Sequence, residues 1–377
     1  MKFVIASDKF KGSLDGFQFC DAVEEGLLAV MPDAKIVKLP LADGGDGTME
    51  VIRYYLKGDK IIVPVKDPLF REIKASYVFD RITKTAYIEM AEASGLKLLE
   101  KVDQNCMNTS TYGTGELILD AISKGATTII LGIGGSSTND CGIGMASALG
   151  YRFLDSNGEV VIPVGKNLSS IATIMTDNVN PNLLNINFKI ACDVNNPLYG
   201  ANGAAKIYAK QKGASDTEVE YLDKGLIHMA ELLTVQFGVD LQKEKGAGAS
   251  GGMGAAALTF LKAELTPGIE LVKEIAQLDT QLQDADWIIT GEGKLDEQTI
   301  SGKTIKGVIK SGKNANVSVA AFCGVVDISL KSLETLQISY VCSILKEIVT
   351  LDEVIANSYY NLKFATLNFA KLLKVNK

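Results

Sequence analysis

Short apolar runs, each breaking off into an acidic or glycine-rich loop, recur along the chain and restrict it to one class of fold. The first is Phe3-Val4-Ile5-Ala6, followed by SDKFKGS and then by apolar residues at helical spacing, Phe19, Val23, Leu27 and Val30. So short a run is too brief for a helix and suits a strand buried on both faces. Ser13 is placed to cap the helix that follows, with Asp15 in its first turn. The next run, IVKLP at 36–40, completes a β-α-β unit, which predicts a parallel sheet.

From residue 60 the texture changes. KIIVPVKDPLFREIKASYVFDRITKTAYIEM holds β-rich runs separated by turns, with no room for helices, and predicts an antiparallel or mixed section. TTIILGIGG at 127–135 and FKIACDV at 188–194 read as buried strands ending in polar loops, and the alternation returns in DWIITGEG, VSVAAFCGVV and ISYVCSIL. The expected class is α/β with two domains. A discontinuous Rossmann-like parallel-sheet domain would comprise 1–60 plus 276–377, and a second, mixed α/β domain would be inserted at 61–275, with the active site in the cleft between them.

Composition narrows the chemistry. Of 377 residues 47% are apolar and 22% charged, as in an ordinary folded protein, and the formal charge of -7 argues against a nucleic-acid partner, which needs a concentrated basic surface. The apolar run near the N-terminus is too short for a signal-peptide core, and no stretch has the length of a membrane span, so no membrane partner and a cytoplasmic location are expected. The six cysteines form no C-x-x-C pair and suggest neither a zinc site nor a disulfide framework. His228 is the only histidine and lies in a run of helical spacing, which excludes Ser-His-Asp chemistry and histidine-rich metal sites. Any general base is then a carboxylate or a lysine, and any metal a hard, oxygen-bound one such as Mg²⁺.

Loops at strand ends are where α/β proteins build sites. Asp8-Lys9-Phe10-Lys11-Gly12-Ser13 offers lysines next to a helix N-terminus and suits an anion. LADGGDGT at 41–48 places Asp43 and Asp46 among glycines, for a metal or for substrate hydroxyls. GIGGSSTNDCGIG at 132–144 has Ser137 where a dinucleotide fingerprint has its third glycine; Ser136, Thr138 and Asn139 suit a polyol or phosphate instead. Asp193, at the end of FKIACDV, is the candidate base or metal ligand. GAGASGGMGAAA at 246–257, with Gly248 and Gly251, reads either as a phosphate cradle or as glycines for close helix packing. TGEGKLDEQTISGKT at 290–304 ends like a P-loop, but Glu297 stands where that loop requires its first glycine. What it offers is an acidic strand end carrying Glu292 and Asp296.

The set DKFKGSL, PLADGGDGT, IEMAEASGL, NTSTYGTGELI, GIGGSSTNDCGIGMASALG, ACDVNNPLYG, QKGA, GAGASGGMGAA and TGEGKLDEQTISGK resembles, in this order, the bacterial glycerate kinases of the glycolate/glyoxylate and galactarate pathway type. Relatives often carry alanine at Ser137, glycine at Cys141 and glutamate at Asp46, differences that bear on substrate tuning rather than on the reaction. The resemblance implies ATP-dependent phosphorylation of D-glycerate with Mg²⁺, giving 2-phosphoglycerate in preference to 3-phosphoglycerate.

Phosphoryl transfer needs positioning and charge neutralisation more than a strong nucleophile. On that expectation Asp193 orients or deprotonates the hydroxyl, and Lys9 or Lys11 with the helix end after Ser13 holds the carboxylate or the phosphate. Asp43, Asp46, Glu292 and Asp296 compete for Mg²⁺, while Ser136, Thr138, Asn139, Gly248 and Gly251 contact substrate or phosphate. A nicotinamide-dependent hydroxyacid oxidoreductase and a small-anion sensor stay open as alternatives from other classes.

Overall fold

The computed structural model describes residues 1–375 apart from 11, 44–47, 297–302 and 349, and apart from the side chains at 49 and 303. Strands β1 (Lys2–Ile5) and β2 (Lys35–Lys38) open the chain. Then come β3 (Asp59–Lys66), β4 (Glu72–Asp80), β5 (Thr85–Glu89), β6 (Thr128–Gly132), β7 (Arg152–Leu154), β8 (Thr173–Met175), β9 (Asn187–Ala191) and β10 (Glu264–Thr266). Strands β11 (Trp287–Asp296), β12 (Ser318–Asp327) and β13 (Tyr340–Ser343) complete the set. The fold is mixed α/β and falls into two compact units, Met1–Tyr55 with Gly268–Lys377, and Leu56–Pro267.

The first unit is built on a five-stranded sheet of order β13-β12-β11-β1-β2 in which every pairing is parallel. Phe3, Val4 and Ile5 are fully buried, which is why the first strand is apolar at consecutive rather than alternate positions. The chain steps from β1 outward to β2, then re-enters at β11 on the opposite flank and steps away through β12 and β13. The boundary between β1 and β11 is therefore a topological switch point, the place where open α/β sheets leave a crevice at the strand ends. Phe369 of the helix Ser358–Val375 packs on this sheet, its ring 5.0 Å from that of Trp287 and 5.7 Å from that of Phe322.

Two local expectations are corrected. The helix Gly16–Leu28 is capped by Asp15, not Ser13: the Asp15 carboxylate accepts from Gln18 N at 2.7 Å, and the Gln18 amide oxygen accepts from Asp15 N at 3.0 Å. This reciprocal capping box satisfies two donors at once, which a serine two residues earlier does not match. Second, the acidic segment after DWIIT is strand rather than loop as far as Asp296. Gly291, Glu292, Lys294, Leu295 and Asp296 stay in register with β12, because pairing along a long neighbour outweighs the poor strand propensity of glycine and acidic residues.

The second unit holds a six-stranded sheet, β10-β9-β6-β5-β4-β3. Its first four strands are parallel, while β3, β4 and β5 form an antiparallel meander. Strands β7 and β8 pair separately as an antiparallel ribbon. Tyr77, Phe79, Ile88, Ile129, Leu131 and Ile190 from the large sheet share a core with Leu222, Met229 and Leu233 of the helix Asp216–Phe237. His228 lies on this helix with Nε2 2.6 Å from the Ile171 carbonyl oxygen. A carbonyl only accepts, so Nε2 carries the proton, and the histidine serves packing. Among the described residues no helix is long and apolar enough to cross a membrane.

Candidate active site

In the first unit the switch point gathers acid. Asp8 follows β1, Asp43 follows β2 and Glu292 lies in β11, the three strands at this side of the sheet. Burial, with the charges of Asp8, Asp296 and Asp43, pushes the Glu292 carboxyl up to about 7. Burial likewise pushes Asp8 up to about 6 and Asp43 adds to the rise, although Lys9 N donates to Asp8 Oδ1 at 2.6 Å and opposes it. Thr304, in the helix Lys303–Asn314, donates to Asp8 Oδ2 at 3.2 Å. Asp296 differs from these, because Lys294 Nζ lies 3.1 Å from it and neutralises it in part.

Asp8 and Glu292, raised by burial first and by neighbouring carboxylates second, are hard-oxygen groups that a divalent cation would relieve. Among the described residues no three carboxylates, thiols or imidazoles close a metal cage. Asp46 and Lys11 lie outside the described residues. Lys9 is half-buried beside Asp8, and the buried hydroxyl of Ser13, which does not cap the helix, has no partner among the described residues.

In the second unit the loops after β6 and β9 leave neighbouring strand ends, since Gly132 and Ala191 are paired residues. The first loop carries Ser136, Thr138 and Asn139, and the second carries Asp193, half-buried just beyond the strand. The first loop is fastened by Asp140, whose carboxylate accepts from Thr111 N and Thr111 Oγ1, both at 2.8 Å, from Gly142 N at 3.1 Å and from Gly144 N at 3.2 Å. Burial still holds this carboxyl above the usual range, with those bonds pulling the other way. Thr138 Oγ1 and both amide atoms of Asn139 are buried and have no partner among the described residues. Native proteins leave such groups orphaned where water or a ligand completes them.

Ser250, Gly251 and Gly252 turn left-handed in succession before the helix that runs on to Phe260. A Cβ on Gly251 would lie 2.1 Å from Thr138 O, one on Gly248 2.1 Å from Pro197 O, and one on Gly252 2.9 Å from Cys141 Cα. Of the two readings of this glycine run, close packing therefore explains the glycines themselves. They press the segment onto the loops after β6 and β9.

One residue absent from the sequence expectations stands out here. Lys212, 6% exposed, donates through Nζ to Ser136 Oγ and to Thr138 O, each at 2.7 Å. It lines a cavity of about 260 Å³ together with Leu96, Ser136, Val194, Tyr208 and Ser250. Burial pushes its ammonium down to about 8, while Cys106 and Asp140 draw it part of the way back. Val194 adjoins Asp193, so the cavity belongs to the same loop cluster as the candidate base. Asp8 was missed for a similar reason: it stands in a loop read for its lysines, and its acidic neighbours are far away in sequence. The one local signal for Lys212 was its place in the QKGA stretch.

Comparison with known proteins identifies the family. Residues 3–374 match the sequence pattern of the Glycerate kinase family. A glycerate 2-kinase of Escherichia coli (strain K12) is 41% identical over 375 residues, covering 100% of this chain and 98% of that protein. A glycerate kinase of Bacillus cereus is 42% identical over 375 residues, with coverage of 100% and 98%. A crystal structure from Salmonella typhimurium LT2, provisionally described as glycerate kinase 2, superposes with a TM-score of 0.88 at 39% identity and covers 100% of this chain and 99% of that one.

Proposed function

We propose that this chain, which belongs to the glycerate kinase family, transfers the γ-phosphoryl group of ATP to the 2-hydroxyl of D-glycerate. The observation that carries the reading is its 41% identity, over essentially full length, to a glycerate 2-kinase. The parallel-sheet unit is read as a Rossmann-like domain and the mixed-sheet unit as its insertion, in a protein of the cytoplasm.

The chemistry asks for three things, and the residues divide among them. A group must orient the acceptor hydroxyl and take its proton, and Asp193 at the end of β9 is assigned that task. Polar donors must hold the substrate: Ser136, Thr138 and Asn139 contribute hydroxyls and an amide, and the orphaned atoms of Thr138 and Asn139 support the assignment. Gly248 and Gly251 act on the phosphate side only by shaping the loops they press on, since the Gly248 and Ala249 N-H groups already donate to Asn196 O and Gly246 O.

The third need is neutralisation of phosphate charge. One or two of Asp8, Asp43 and Glu292 would hold Mg²⁺, water and phosphate oxygens taking its other positions, and Asp46 belongs to the same set by sequence. Asp296, already paired with Lys294, is the weaker ligand. When bound, Mg²⁺ offsets the negative charge on the nucleotide phosphates. Lys9 and Lys11, from the loop after β1, add positive charge for the transferring group, and Ser13 Oγ, buried with no partner among the described residues, donates to it. The N-terminus of the helix after Asp15 is not given this role, because a carboxylate already occupies it.

An oxidoreductase reading is disfavoured by the loop after β6: its side chains are hydroxyls and an amide, and no histidine accompanies them. Release of ADP on adding D-glycerate, followed beside NADH absorbance, tests both readings together.

A further inference from the structure

A charge buried at the end of a flexible side chain is costly unless something compensates it. Lys212 Nζ is bonded to one hydroxyl and one carbonyl, both neutral, and among the described residues it makes no ion pair. The nearby carboxylate of Asp140 is spent on Thr111, Gly142 and Gly144. If fastening the loop were the whole task, a neutral donor would do it without burying an ammonium. The cation lines a cavity of about 260 Å³, room enough for a three-carbon acid.

We infer that this cavity receives the carboxylate of the acid substrate, with the Lys212 ammonium as its counter-charge. The inference rests on the glycerate reading above and adds to it the residue that tells an acid from a neutral polyol. Charge counting favours the carboxylate over phosphate. Lys212 is the one charged group among the described lining residues, and Leu96 and Val194 make part of the wall apolar. A single cation in a partly apolar cavity matches a monoanion, whereas a triphosphate calls for several cations or a metal. Ser136 bonds to Lys212 Nζ and lines the same cavity, as does Ser250, whose backbone is left-handed at φ 52°.

The test compares D-glycerate with its neutral amide, D-glyceramide, in wild type, Lys212→Met and Lys212→Arg. Steady-state KM is read in an ADP-release assay, and Kd is read by calorimetry without nucleotide. The wild type should favour the acid by about ten- to hundredfold, as a charge-assisted bond does. Lys212→Met should lose most of that ratio through the acid alone, with the KM for ATP little changed, and Lys212→Arg should restore a good part of it. A purely structural lysine would raise both values together, so an unchanged ratio in Lys212→Met overturns the inference and leaves the kinase reading standing. Acid-selective binding without turnover would do the reverse, and failure of D-glycerate to bind overturns both. Should Lys212→Met not fold, carbamylation of Lys212 by cyanate in the wild type is followed by mass spectrometry. D-glycerate should protect the lysine and D-glyceramide should not; equal modification rates contradict the assignment.

Discussion

The Thr304 hydroxyl donates to the Asp8 carboxylate across 3.2 Å. This bond ties the first turn of the helix Lys303–Asn314 to the loop after β1, beside the acid of β11. The resemblance of this stretch to a P-loop is thus accidental, yet its last residue does stand at the acidic group that the account assigns to metal and phosphate.

Mg²⁺ should therefore stabilise the protein without any nucleotide. At pH 8 the midpoint of thermal unfolding should rise with added Mg²⁺, by the equivalent of about 2.7 kcal/mol at a hundred times Kd. Glu292→Gln and Asp8→Asn should each reduce that rise. Identical melting curves with and without Mg²⁺ in the wild type would remove these carboxylates from the role.

The same carboxyls set a pH dependence. Asp8 is raised to about 6 and Glu292 to about 7, so between the ordinary carboxyl range and pH 7 the folded state binds more protons than the unfolded state. Stability must then fall as pH rises through that window and level off above it. In urea titrations with EDTA, Glu292→Gln should gain on the wild type between pH 5 and pH 8. A constant difference between the two across this range would contradict the raised value.

Gly251 has φ +74° and no space for a Cβ beside Thr138 O. Gly251→Ala should cost about 2–4 kcal/mol from left-handed strain and overpacking together. Equilibrium unfolding measures it, and a loss under about 0.5 kcal/mol, the level of an ordinary surface change, would show that the segment is not pressed against the loop.

What was legible in the sequence followed from local physics. The apolar run at residues 3–6 announced β1, because a strand covered on both faces must be apolar throughout, and the turn-punctuated runs after residue 60 announced the meander of β3, β4 and β5. The cap was misread: Ser13 was expected, although Asp15 followed three residues later by Gln18 forms the capping box. By contrast, the strand character of Glu292 to Asp296 comes from β12, a partner that no local window contains. The meeting of Asp8 with Glu292 depends on strand order, and the burial of Lys212 depends on a loop more than seventy residues away in sequence. Site residues drawn from many loops are readable one by one, but their electrostatic coupling exists only in the fold.

Asp193 is the residue on which turnover should depend most. Asp193→Asn should lower kcat by about a hundredfold or more with the melting temperature little changed, as loss of a general base does. Near-normal kcat in a folded variant would assign proton removal elsewhere.

The central claim is that the chain phosphorylates D-glycerate at its 2-hydroxyl. Phosphorus NMR of a reaction containing the protein, ATP, Mg²⁺ and D-glycerate reads this directly. The account predicts stoichiometric ADP and 2-phosphoglycerate; 3-phosphoglycerate would contradict the regiochemistry, and unchanged ATP would contradict the claim itself.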